Sequence, residues 1–94
     1  MSYQLIIHPK AEKEIKNLPK HIGGEIIKAI YSLSEQPRPH GYKKLSDYKS
    51  ERVPKKTCYR IRVSDYRVVY TIEQEVITIT IVMVKHRKEV YKKP

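Results

Sequence analysis

Tyr59-Arg60-Ile61-Arg62-Val63-Ser64-Asp65-Tyr66-Arg67-Val68-Val69-Tyr70 is the stretch that decides the fold. Apolar and cationic side chains alternate on both sides of Ser64-Asp65, the period of two that a half-buried strand requires. A two-residue turn at Ser64-Asp65 sets Val63 opposite Tyr66, Arg62 opposite Arg67 and Arg60 opposite Val69. Tyr59, Ile61 and Val63 then share a core face with Tyr66, Val68, Tyr70 and Ile72, while Arg60, Arg62 and Arg67 gather on the other. A slip of one residue would bury the arginines, so hydrophobic burial selects this register. Arg62 across from Arg67 lowers stability. A local rule broken with no folding benefit points to function, here an anion-binding surface. The structural alternative is that the arginines pair with Asp65, Glu73 or Glu89.

Outward from this hairpin, Val76-Ile77-Thr78-Ile79-Thr80-Ile81 alternates again, predicting a third strand over about 76–85. A two-residue turn at Gln74-Glu75 would send Ile77, Ile79, Ile81 and Met83 to the core. Thr78, Thr80, Val82, Val84 and His86 would then join the arginine face. On the N-terminal side, residues 46–57 fit neither periodicity and predict a mobile loop carrying Lys49, Arg52, Lys55 and Lys56. Pro9 suits the first turn of a helix running to about Leu18, and Pro19 ends it. A second helix over about 20–35 carries Ile22, Ile26, Ile30 and Leu33 on one stripe. Tyr3-Gln4-Leu5-Ile6-Ile7 suits a first strand. The expected architecture is α+β: an N-terminal strand and a helical hairpin packed on a twisted, mostly antiparallel β-sheet of about four strands, one domain over residues 1–94.

Charge narrows the partners. Lys plus Arg number 20 against 10 Asp plus Glu, a net +10. Residues 48–94 hold 12 of the basic side chains and 5 of the acidic ones. Such an excess suits a polyanion, and phosphate is the common choice. The Lys43-Lys44 and Lys55-Lys56 pairs suit general phosphate contacts or plain solvated charge. Cys58 has no partner for an internal disulfide, which favours a reducing compartment, so the expected location is cytoplasmic. No N-terminal run has signal-peptide form and no stretch approaches a membrane span. His8, His21 and His40 lack ligand spacing; no metal or other cofactor is expected.

The helix–helix–sheet order, the 59–70 stretch and His86-Arg87-Lys88-Glu89-Val90-Tyr91 together resemble the RelE/ParE superfamily of toxins. Pro9-Lys10-Ala11-Glu12-Lys13-Glu14-Ile15 fits as well, so the likeness covers nearly the whole chain. Archetypal RelE carries lysines where this chain has Arg60 and Arg62. The resemblance implies the toxin of a type II toxin–antitoxin system, held inactive by a cognate antitoxin. A RelE-like member would be a metal-free endoribonuclease cutting messenger RNA on the ribosome. A ParE-like member would poison DNA gyrase without nuclease chemistry. Carried over by position, the RelE-like site becomes Arg60, Arg62, Arg67, Arg87 and Tyr91.

RNA cleavage without a metal needs a 2′-OH deprotonated, a phosphorane stabilised and a 5′-oxygen protonated. Arginine cannot act as base at a pKa above ~12. Arg67 is therefore expected on the scissile phosphate, with Arg60 and Arg62 orienting and neutralising. His86 or Tyr91 is left for proton transfer, and Arg87 would balance charge on the leaving side. A non-catalytic basic RNA-binding module is the third reading.

Overall fold

In a computed structural model the described residues are 2–89. Seven elements follow in order: β1 (Gln4–Ile7), α1 (Pro9–Lys16), α2 (Lys20–Glu35), β2 (Lys43–Leu45), β3 (Cys58–Val63), β4 (Tyr66–Glu73) and β5 (Thr78–His86). The sheet order is β1-β5-β4-β3-β2, with β1 parallel to β5 and the other pairs antiparallel. The sheet therefore has five strands where the sequence suggested about four. The extra one, β2, is three residues long and too short to show a period.

Both helices begin where proline and a cap dictate. Pro9 opens α1, and the His8 Nδ1 accepts from the Lys10 N–H at 3.1 Å, satisfying one orphan donor of the first turn. Pro19 occupies the N-cap position of α2 without a side-chain hydrogen bond, and Ile26, Ile30 and Leu33 of that helix are buried. These side chains meet Ala11, Ile61, Val68, Tyr70, Ile79, Ile81 and Val84 in the main core, on one face of the sheet.

The β3–β4 hairpin has the register read from the sequence: Val63 opposite Tyr66, Arg62 opposite Arg67, Arg60 opposite Val69. Ser64 takes a left-handed φ of 56° in the turn. Two corrections concern β5. Its connection to β4 is four residues, 74–77, with Thr78 opposite Glu73. That moves the pairing by two residues and leaves every side chain on its expected face. A β-bulge opposite Val69 and Tyr70 matters more. Ile81 pairs with Tyr70 but Met83 pairs with Val69, leaving Val82 as the extra residue. One residue of shift exchanges the faces, so Met83 leaves the main core and Val84 enters it.

Residues 46–57 are the third correction. They do not form a mobile loop but lie across the second face of the sheet. Tyr48 and Val53 pack on Leu45, Cys58, Val69, Val82 and Met83, forming a smaller core there, and Ser50 is buried.

Candidate nucleic-acid interface

Cross-strand pairing places the cations. Arg62 pairs with Arg67 and Arg67 with Lys85, so three cationic positions form one row across β3, β4 and β5. Directly opposite residues share a face, so all three stand on the second face, next to the 46–57 cover. One row inward, Lys43 pairs with Arg60 and Arg60 with Val69. Arg60, Arg62 and Arg67 are thus brought together as the alternation predicted. Lys85 is an addition that sequence reasoning missed. Its signal was indirect: the unbroken apolar run Ile81-Val82-Met83-Val84 violates strict alternation, as a bulged strand buried on both faces does.

The row is not uniform in exposure. Arg62 is exposed and Arg67 half-buried, with the Arg67 Nη1 donating to the Tyr66 carbonyl at 3.5 Å. Arg60 is only 6% exposed, and its buried Nε has no hydrogen-bond acceptor among the described residues. A buried guanidinium donor left without a partner is costly, and an arriving anion would offset that cost. The Lys85 ammonium lies 3.1 Å from the Glu14 carboxylate of α1. Burial alone pushes the Glu14 carboxyl up. Hydrogen bonds from Arg52, the Val84 N–H and Lys85 outweigh it and hold the group below its ordinary value of 4.5.

The remaining predicted residues fall elsewhere. His86 pairs with Tyr66, which packs against the main core, so the bulge carries the imidazole to the helix side rather than to the arginine face. Its ring meets Tyr66 edge-on at 5.4 Å, and its Nδ1 accepts from the Lys88 N–H at 3.3 Å. Arg87 is exposed beside the β3–β4 turn, its N–H donating to the Asp65 carbonyl at 2.8 Å. Tyr91 lies outside the described residues. Lys44 pairs with Tyr59, a residue of the helix side, and Lys43 alone of that pair adjoins the arginines. Lys56 is paired with Glu73 at the far end of β4, roughly 20 Å from Arg67 at the strand rise of ~3.3 Å per residue. Lys55 is its exposed neighbour, so neither joins the row. Cys58 is buried in the smaller core, and burial pushes its thiol up to about 11.

At the opposite margin of β3 the sheet edge is open. Because β2 pairs only with Cys58–Arg60, Ile61–Val63 have no outer strand among the described residues. A groove of about 600 Å³ runs there between β3 and α2, lined by Ala29, Leu33, Tyr42, Ile61 and Val63 among others. Among the described residues no group of three His, Cys, Asp or Glu side chains could hold a metal ion. No described helix is long and apolar enough to cross a membrane.

Comparison with known proteins agrees with this architecture. Residues 5–91 match the family model described as the ParE toxin of type II toxin–antitoxin system, parDE. No curated protein matches the sequence. Among solved structures, the archaeal RelE–RelB complex from Pyrococcus horikoshii OT3 is similar at 27% identity and a TM-score of 0.77, covering 96% of this chain and 100% of that one. The toxin–antitoxin complex RelBE2 from Mycobacterium tuberculosis is similar at 25% identity and a TM-score of 0.73, covering 93% of this chain and 100% of that one. The RelB–RelE antitoxin–toxin complex from Methanococcus jannaschii matches at 25% identity and a TM-score of 0.67, covering 93% and 95%.

Proposed function

Because the chain belongs to the ParE toxin family of type II toxin–antitoxin systems, within the RelE/ParE superfamily, we propose that it is a RelE-like endoribonuclease. It cuts messenger RNA on the ribosome without a metal, and an antitoxin holds it inactive. The observation that carries this reading is the Arg62–Arg67–Lys85 row, backed by Arg60 and flanked by Lys43.

Neighbouring strands are ~4.8 Å apart, so the row spans roughly 10 Å, which suits a phosphate with its flanking linkages. Arg67 sits at the centre and takes the scissile phosphate through its planar fork. Arg62 and Arg60 neutralise charge as the phosphorane forms. Lys85 is the row's one titratable cation, since arginine keeps its proton. It is suited to protonating the leaving 5′-oxygen. With His86 on the helix side, Tyr91 is the remaining candidate for abstracting the 2′-OH proton, and Arg87 lies outside the row beside the Asp65 turn.

The antitoxin has a place to bind that adjoins the row, since Lys43, Arg60 and Arg62 also line the groove beside β3. The open edge of β3 and its apolar groove suit an added strand or helix whose side chains fill the space against α2. Partner antitoxins are present in the similar complexes from Pyrococcus and Mycobacterium.

Mapping RNA 5′ ends after brief induction tests the reading. Cuts within translated codons are expected, abolished by Arg67→Ala while antitoxin binding survives. The parDE description of the matching family favours a second reading, a gyrase inhibitor acting by binding alone. Translation that continues while DNA breaks accumulate would establish it.

A further inference from the structure

Beyond Ile7, which pairs with Ile81, β5 has no strand on its β1 side among the described residues. Its bare edge is closed by two side chains from distant parts of the chain. The Glu14 Oε1 accepts the Val84 N–H at 3.0 Å, and the Arg52 Nη1 donates to the Val82 carbonyl at 2.9 Å. Arg52 also forks onto Glu14, its Nη1 and Nη2 lying 2.9 and 2.8 Å from the two carboxylate oxygens. Both side chains are largely shielded, at 12% and 15% exposure. Edge closure needs nothing more than these contacts, yet the same carboxylate also meets Lys85, at 3.1 Å.

Lys85 lies at the end of a row of cations. Arg67 stands directly opposite on β4, Arg62 one strand further on β3, and the Arg52 guanidinium of the 46–57 segment shares its carboxylate. Like charges disfavour a protonated ammonium, and an opposite charge within ~4 Å favours it. Glu14, on α1, supplies that opposite charge.

We propose that Glu14 is the positioning residue of the cationic row: its carboxylate fixes the Lys85 ammonium beside Arg67, and through Arg52 ties the 46–57 segment to the same strand edge. The use to which the row is put rests on the nuclease reading; the hold on Lys85 does not. Glu14 touches no substrate in this assignment. It sets the state of a residue that does.

The test takes the full chain as wild type, Glu14→Gln and the charge-keeping Glu14→Asp, each checked for folding by thermal unfolding. The Lys85 Nζ titration is followed by NMR in each. Glu14→Gln is expected to lower the Lys85 pKa by about one unit or more, with Lys28 on α2 as unmoved reference. Loss of a carboxylate beside the row should tighten binding of a single-stranded decaribonucleotide a few-fold. Cleavage on the ribosome should nevertheless fall roughly tenfold or more, with the alkaline limb of its pH profile moved to lower pH. Lys85→Arg, which keeps its proton and so cannot hand it to the leaving oxygen, should abolish cleavage while RNA binding survives. Should Glu14→Gln fail to fold, Glu14→Asp decides: its shorter reach should lower the Lys85 pKa though the charge remains. An unchanged Lys85 titration in the folded variant, or cleavage that rises with affinity, would overturn the assignment. A wild-type chain that cuts no RNA would overturn the nuclease reading alone, and the Lys85 titration would then decide the role of Glu14 by itself.

Discussion

The two faces of the sheet are made by the same strands and differ in what covers them. Toward the helices, Ile61, Val68, Tyr70, Ile79, Ile81 and Val84 meet Ile26, Ile30 and Leu33 in a continuous buried core. On the other face, Cys58, Val69, Val82 and Met83 lie under Tyr48 and Val53, and the row of Arg62, Arg67 and Lys85 continues beyond that cover. The first face holds the fold together. The second divides its length between a small core and a surface whose charges oppose folding. Neighbouring residues of one hairpin therefore face opposite sides of the sheet and carry different duties.

That contrast can be broken most severely from the helix side. Ile30→Ala removes a fully buried side chain and should cost about 2–5 kcal/mol in denaturant unfolding, with toxicity lost alongside the folded fraction. A cost below 1 kcal/mol would mean that this face is not the main source of stability.

Arg52→Ala attacks the junction between the faces. It leaves the shielded Glu14 carboxylate short of its bidentate partner and should cost about 3 kcal/mol, measured by chemical unfolding, with faster amide exchange over 46–57. A pH effect accompanies it. The Glu14 carboxyl is held below 4.5 in the folded chain, so its contribution is present above that pH and fades as acid protonates the folded group. Wild type should therefore lose stability below pH 4.5 more steeply than Glu14→Gln, in melts taken across the range.

Arg62→Ala should move stability little, within ~0.5 kcal/mol or slightly upward, because it relieves a like-charge pair. Its RNA affinity should fall and its salt dependence flatten. A large destabilisation would make Arg62 a structural residue after all. The smallest effect is expected at His86. With its ring against Tyr66 on the helix side, His86→Gln should leave the cleavage rate within a few-fold of wild type. A hundredfold loss would return proton transfer to the imidazole.

Local pattern was enough for much of this. Prolines at 9 and 19 and the spacing of Ile22, Ile26, Ile30 and Leu33 mark both helices. The period of two around Ser64-Asp65 determines the β3–β4 register, because any one-residue slip would turn three arginines toward the helix-side core. That register by itself puts Arg60, Arg62 and Arg67 together.

Other features were decided by contacts between residues far apart in sequence. The bulge at Val82 forms where two cores compete for one strand, and it exchanges Lys85 for His86 in the cationic row. Nothing within residues 46–57 shows that Tyr48 and Val53 will find an apolar surface, since that surface is assembled from β2 to β5. Glu14 reaches Val84, 70 positions along the chain, and Arg52, 38 positions along. Periodicity reports which side of its own element a residue occupies. Partners brought together by folding lie beyond its range, and here they decide which cations stand side by side.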